Sequence, residues 1–226
     1  MAACMMKLVS TSTLLMLFLT LITAPIAAAS NTNRQTATPA PASCATATPA
    51  ATPAMGRGSM TMDMEIEFDQ LYIDMMLPHH GSIVAMAQAA LPRLADERLR
   101  SIAQTIIDTQ SAEQAELSSY REQFYGSTEP APMEMMMAAM PGMGSMDAMM
   151  AQMDAAGQVA AICAAEETDV AFIDLTIPHH QMAIAASQTA LTEAVHPEIA
   201  AFAQRVIDDQ SVEIDALTAI RAELVR

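Results

Sequence analysis

The chain has 226 residues, of which 26 are acidic and 10 basic, so its formal net charge is −16. This charge attracts cations and repels nucleic acid and anionic lipid, so we exclude nucleic acid as a partner. The sequence lacks alternating β-branched runs and hairpin-turn signals, which excludes a sheet protein and favours an all-α fold.

The first segment, residues 1–29, has the pattern of a secretory signal peptide. An apolar run from Leu8 to Ala24 follows a weakly positive head, and Ala27–Ala29 supply the small residues that cleavage requires. The apolar run is short for a membrane span, so we expect cleavage and no remaining span. The sequence therefore predicts a secreted or periplasmic protein of the cell envelope.

Residues 30–62 are rich in Ala, Thr and Pro and poor in bulky apolar residues, which predicts a disordered tether. This segment contains Cys44, and the other cysteine beyond the signal peptide is Cys163. In an oxidising compartment the two thiols can form an intramolecular disulfide. An intermolecular disulfide and metal binding are the alternatives.

Two copies of one unit, residues 63–125 and 166–226, form most of the remaining chain. They align at an offset of 100 without a gap from Glu67 to Phe124. Each copy shows apolar residues at three- and four-residue steps in two segments, which predicts a helical hairpin. One hairpin cannot bury its own apolar stripe, so the duplication predicts a four-helix bundle.

Each copy carries the motif aromatic-Ile-Asp-x3-Pro-His-His, at Tyr72–His80 and at Phe172–His180. The chain has only five histidines, and four of them belong to these motifs: His79, His80, His179 and His180. Imidazole is the commonest metal ligand in proteins. Pro78 and Pro178 lie inside the predicted helices, where proline bends a helix, and we expect this bend to orient the imidazoles.

Methionines accompany the histidine pairs at helical spacing, and their soft thioether sulfur suits Cu(I) and Ag(I). Mixed imidazole and thioether ligation fits copper in either oxidation state. The two motif aspartates are expected to ligate the metal or to orient an imidazole. The candidate metal ligands on these helices are Asp74, Met75, Met76, His79, His80, Met86, Asp174, His179, His180 and Met182.

Four polar residues fall on the apolar stripe of the second helices: Gln110, Glu113, Gln210 and Glu213. Buried carboxylates need partners, and the nearest candidates are the histidine pairs.

The connector between the copies, residues 126–165, is rich in methionine. Five of its methionines keep a strict three-residue spacing: Met137, Met140, Met143, Met146 and Met149. Because Pro and Gly interrupt this run and no partner surface is evident, we favour capture of soft metal ions over flexible packing. Sacrificial oxidation is a third interpretation.

Together these motifs resemble the exported helical family catalogued as domain of unknown function 305, which includes CopM-like periplasmic copper-binding proteins. The resemblance rests on the duplicated Pro-His-His motif and on the Gln-Ser-x-Glu pattern of the second helices. It implies a ferritin-like four-helix bundle that binds copper or silver. Relatives often have Met at the position of Thr176, which predicts a weaker second site or one for harder ions. The residues that carry over are Asp74, His79, His80, Met86, Asp174, His179, His180 and Met182.

We therefore expect an exported protein that binds Cu(I) or Cu(II), with silver as a further candidate, for sequestration, resistance or trafficking. A copper-delivery or efflux protein is a candidate partner. No complete catalytic motif occurs, so we do not expect an enzyme. The first alternative, a di-metal redox enzyme of the ferroxidase type, requires Glu-x-x-His, and no acidic residue stands three positions before any paired histidine. The second alternative is a structural interaction module without metal.

Overall fold

The computed structural model describes Cys44 and residues 66–126 and 130–224. The predicted signal peptide at 1–29 lies outside these residues, as does the predicted tether at 30–62 apart from Cys44. The described residues contain helices and no strand, which confirms the all-α class. The seven helices of this part of the chain are α1 Phe68–Ala90, α2 Glu97–Tyr125, α3 Met133–Ala139, α4 Met146–Met153, α5 Ala155–Ala164, α6 Thr168–Glu193 and α7 Pro197–Leu224.

The helices of the two copies begin and end where local sequence signals place them. The Asp96 carboxylate accepts a hydrogen bond from the backbone N–H of Arg98 and so caps α2. Gly126 ends α2 with a positive φ of 62°, a conformation that glycine adopts without strain. Pro78 and Pro178 lie inside α1 and α6, which continue on both sides of them. Across the described residues, no helix is both long and apolar enough to cross a membrane.

The two copies cap each other's loops. Asp69, in the first turn of α1, accepts hydrogen bonds from the backbone N–H groups of Val195 and His196, just before α7. Asp169, the equivalent residue of α6, accepts bonds from the N–H groups of residues 95 and 96, just before α2. Together with the packing of α1 on α2, of α6 on α7 and of α1 on α6, these reciprocal bonds join the copies into one unit.

The methionine-rich connector folds into α3, α4 and α5, and all three helices pack against α1. The connector methionines therefore do have a surface to pack on, and that surface belongs to α1. Four connector methionines are buried in an apolar core shared with α1, α6 and α7: Met136, Met140, Met143 and Met149. Burial of an unbranched, adaptable side chain in an irregular gap is a common use of methionine.

Cys44 and Cys163 form an intramolecular disulfide, with their Cα atoms 5.4 Å apart. Of the three alternatives that the sequence left open, this is the one confirmed. The bond attaches a residue of the tether segment to α5, and α5 in turn packs against α1 and α6.

Two adjacent methionines of α4 test whether the connector is part of the core. Met149 is fully buried and Met150 is 50% exposed. We expect Met149→Ala to lower the free energy of unfolding by about 2–5 kcal/mol, because it leaves a cavity. Met150→Ala should change it by no more than about 0.5 kcal/mol. Urea unfolding followed by circular dichroism measures both, and equal small effects would show that the connector is not packed.

Candidate metal centre

The four paired histidines meet where α1 packs against α6. The His79 and His179 rings are stacked, with their centroids 3.6 Å apart and their planes tilted by 36°. The His80 and His180 rings lie 6.2 Å from the rings of their own neighbours in the chain. All four imidazoles are fully buried. The structure thus brings the two motifs together as one imidazole cluster, which we define as His79, His80, His179 and His180.

Two glutamates of the second helices hold the outer members of the imidazole cluster. His80 Nε2 lies 3.0 Å from Glu113 Oε2, and His180 Nε2 lies 2.7 Å from Glu213 Oε2. These contacts confirm the prediction that the buried carboxylates pair with the histidines. An ionised carboxylate only accepts hydrogen bonds, so Nε2 carries the hydrogen in both rings. In a neutral ring of this tautomer, Nδ1 carries no hydrogen and has a free lone pair.

A serine fixes a third imidazole in the same way. Ser82 Oγ lies 2.9 Å from His179 Nε2 and also contacts the backbone carbonyl oxygens of His79 and Gln152. Carbonyl oxygens only accept, so the single hydroxyl hydrogen is directed to them. The hydroxyl oxygen therefore accepts from His179 Nε2–H, which leaves His179 Nδ1 unprotonated. The sequence analysis missed Ser82, whose counterpart in the second copy is Met182.

Several ring nitrogens of the cluster make no hydrogen bond to any described residue. They are Nδ1 of His80, His179 and His180 and both nitrogens of His79. Burial, followed by the neighbouring imidazoles, lowers the pKa of both His79 and His179 well below the ordinary value, so both rings are neutral. Buried, neutral imidazoles with unpaired nitrogens have the chemistry that metal ligation requires.

The motif aspartates lie apart from the imidazole cluster and pair with arginines instead. Asp74 is buried and binds Arg121 through Oδ1–Nε at 2.6 Å, and it also accepts a bond from the Ala131 N–H. Asp174 binds Arg221 in the same manner at 2.8 Å, but this pair is exposed. The equivalent pairs therefore differ mainly in burial, because the connector covers the first and leaves the second in water.

The predicted methionine ligands are divided between two apolar clusters. Met75, Met76 and Met182 are buried in the cluster that also contains Met140, Met143 and Met149, with Met137 and Met146 packed against it. Met86 is buried in the other cluster. The thioethers nearest in sequence to the histidines are thus buried, as the four imidazoles are. Throughout the described ranges, no three side chains of His, Cys, Asp or Glu converge as on a single metal ion.

Comparison with known proteins assigns the family. The chain belongs to the family described as domain of unknown function (DUF305), which matches residues 69–221. This confirms the resemblance that the duplicated motifs indicate. The search of curated proteins found no match.

Several solved structures are similar to this chain. CopM in the Cu(II)-bound form shares 33% identity, over 69% of this chain and 97% of that chain, with a TM-score of 0.57. CopM in an Ag-bound form obtained by soaking shares 27% identity over 69% and 95%, with a TM-score of 0.54. A DUF305 protein from Streptomyces coelicolor, at 20% identity over 70% and 93% and a TM-score of 0.56, supports the fold alone.

The depressed pKa values of His79 and His179 predict that acid destabilises the metal-free fold. Below about pH 6.5 the unfolded chain protonates these imidazoles and the folded chain does not, so folding releases protons. The free energy of unfolding should therefore fall as pH decreases from 7 to 5.5, approaching about 1.4 kcal/mol per pH unit for each imidazole. Urea unfolding with a chelator present measures this slope, and His196→Gln is the control that should keep it. A flat or opposite slope would contradict the prediction.

The two aspartate–arginine pairs provide a matched comparison of burial. Asp74→Ala leaves Arg121 buried without its carboxylate, so we expect the free energy of unfolding to fall by about 3–5 kcal/mol. Asp174→Ala should leave it nearly unchanged, because water screens the exposed pair. Urea unfolding of both variants checks this. Equal losses would show that the connector does not shield the first pair.

Proposed function

We propose that this protein binds copper, as Cu(I) or Cu(II), and also Ag(I), through the imidazole cluster and the buried thioethers of α1 and α6. The observation that carries the proposal is that the Nδ1 atoms of three buried rings make no hydrogen bond to any described residue, while Nε2 of each of these rings has a partner. Glu113, Glu213 and Ser82 take the Nε2 hydrogens and so fix the tautomer in which Nδ1 is the donor.

The distribution of sulfur around the imidazole cluster favours soft ions. Met182 occupies the position in the second copy that Ser82 occupies in the first. Since Ser82 contacts His179, the symmetry of the copies brings Met182 toward His79, whose two ring nitrogens have no partner among the described residues. Because no three imidazole or carboxylate ligands converge within the described part of the chain, we assign at most two rings to each ion, with thioether sulfur completing its ligands.

The comparisons support the same class of ligand. CopM has been solved with Cu(II), with Cu(I) and with Ag bound, and it is 27–33% identical to this chain in these forms.

By extension we assign α1, α2, α6 and α7 to a ferritin-like four-helix bundle made of two duplicated hairpins. The packing of these helices and the reciprocal caps of Asp69 and Asp169 support this assignment.

We further propose that the protein is exported and acts in the cell envelope by sequestering copper, in resistance or trafficking, and not as an enzyme. The signal-peptide pattern at 1–29 and the net charge of −16, which attracts cations, support this role. A copper-delivery or efflux protein is the partner that this role suggests.

Removal of the Nδ1 donors tests the proposal while keeping the outer hydrogen bonds. In a His80→Gln, His180→Gln double variant, each amide nitrogen takes the place of Nε2 and still donates to Glu113 or Glu213. We expect the affinity for Cu(II) and Ag(I) to fall at least about tenfold, because the donor nitrogen is lost. Competition titration of the purified chain against a chromophoric chelator measures it. His196→Gln, which changes a histidine outside the cluster, is the control.

Met182→Leu tests how much the thioether contributes to metal affinity, because it removes the sulfur at nearly constant volume. Met150→Leu, at an exposed position, is its control. Affinity for Ag(I) should fall in the first variant and not in the second.

An unchanged affinity in the double histidine variant would contradict the proposal. Tight Fe(II) binding with oxygen consumption would favour the redox enzyme, and a chain that binds none of these ions would be a structural module.

A further inference from the structure

A separate cavity of about 290 Å³ lies between α2 and α7. Two pairs of identical residues at equivalent positions of the two copies line it: Gln110 with Gln210 and Glu113 with Glu213. Both copies therefore contribute the same side chains to the cavity. The remaining lining residues are Thr105, Thr109, Asp209 and Val212. Every side-chain donor that lines the cavity is oxygen or amide nitrogen, and none is sulfur or imidazole.

The two glutamines are the feature that indicates a ligand. Gln110 is 2% exposed and Gln210 is 3% exposed, yet none of their four amide atoms makes a hydrogen bond to any described residue. A buried amide without a partner costs free energy, and native proteins rarely leave one unpaired. Here two occur at equivalent positions on residues that line one cavity, and we take this as the sign that a bound species uses their oxygens.

The cavity also carries negative charge, and none of the described residues that line it is cationic. Glu113 and Glu213 each use Oε2 for an imidazole and present Oε1 without a hydrogen bond to the described residues. Asp209 lines the same cavity. Arg205, which precedes it in α7, forms its ion pair with Glu116.

We propose that this cavity binds a hard divalent cation of the Ca²⁺ or Mn²⁺ type through the amide oxygens of Gln110 and Gln210 and the carboxylates of Glu113 and Glu213. Such cations prefer oxygen ligands and retain water molecules, whereas Cu(I) and Ag(I) prefer sulfur and imidazole. The cavity volume accommodates an ion with several waters, each of which takes about 30 Å³. The proposed ligands are oxygens and not the ring nitrogens of the imidazole cluster, although Glu113 and Glu213 contact both sites.

The test is a Mn²⁺ titration of the full chain, with free Mn²⁺ measured by electron paramagnetic resonance and Ca²⁺ used as the competitor. We expect one bound Mn²⁺, with which Ca²⁺ competes for the same ligands and Ag(I) does not. A Gln110→Leu, Gln210→Leu double variant removes two ligand oxygens at nearly constant volume, and its Mn²⁺ affinity should fall at least tenfold. The matched control is Gln104→Leu with Gln204→Leu, the same change on the exposed faces of the same helices, where affinity should be unchanged.

Thermal unfolding supplies a second readout. Ca²⁺ should raise the melting temperature of the wild-type chain and of the control but not that of the Gln110→Leu, Gln210→Leu variant. In chelator that variant should melt no lower than wild type, because it loses two unpaired buried amides. Equal Mn²⁺ affinity in this variant and the control, or no bound Mn²⁺ in the wild type, would overturn the proposal, since only diffuse binding to an acidic surface would remain.

If the leucine variant does not fold, substitutions of two adjacent aspartates test the same site. Asp209 lines the cavity, whereas Asp208 accepts a hydrogen bond from Gln204 outside it. Asp209→Asn should weaken Mn²⁺ binding several-fold more than Asp208→Asn does. Equal effects of these two substitutions would overturn the proposal, because both remove one negative charge from α7.

Discussion

Burial of four imidazoles at the contact between α1 and α6 is the constraint on which the rest of the structure depends. A charged imidazole is costly in a dry interior, and burial keeps the His79 and His179 rings neutral. Glu113, Glu213 and Ser82 provide hydrogen-bond partners for three of the four rings. The second helix of each copy is therefore held to the first by a polar contact as well as by apolar packing.

The two copies of the unit are similar in sequence, and the connector makes their surroundings unequal. It packs on α1, and the N–H of Ala131 at its start donates to Asp74. The pair of Asp74 with Arg121 is thereby buried, whereas the equivalent pair of Asp174 with Arg221 remains exposed. The imidazole cluster shows the same divergence, because Ser82 has Met182 as its counterpart. One copy supplies a hydrogen-bonding oxygen where the other supplies a sulfur.

The sequence was sufficient for features that depend on local periodicity and on the repeat. The four long helices and the pairing of Glu113 with His80 follow from apolar spacing and from the need of a buried carboxylate for a partner, whereas the sequence left open whether the two motifs form one site or two. The packing of the connector did not follow, because it depends on contacts remote in sequence. The pairing of Asp74 with Arg121 was missed although both residues recur in the second copy, 47 positions apart, as Asp174 and Arg221. That shared separation of an acid and a base was the available signal.

The two proposed sites share the carboxylates of Glu113 and Glu213, and this has a physical consequence. Through Oε2 each glutamate fixes the tautomer of an imidazole, and through Oε1 it faces the cavity between α2 and α7. A cation bound in the cavity withdraws electron density from the carboxylate and weakens it as an acceptor for the imidazole N–H. The basicity of Nδ1 then decreases, because a ligating imidazole is more basic when its other nitrogen donates to a stronger acceptor. Occupation of the oxygen-lined cavity is therefore expected to weaken soft-metal binding at the imidazole cluster, and by linkage the reverse holds equally.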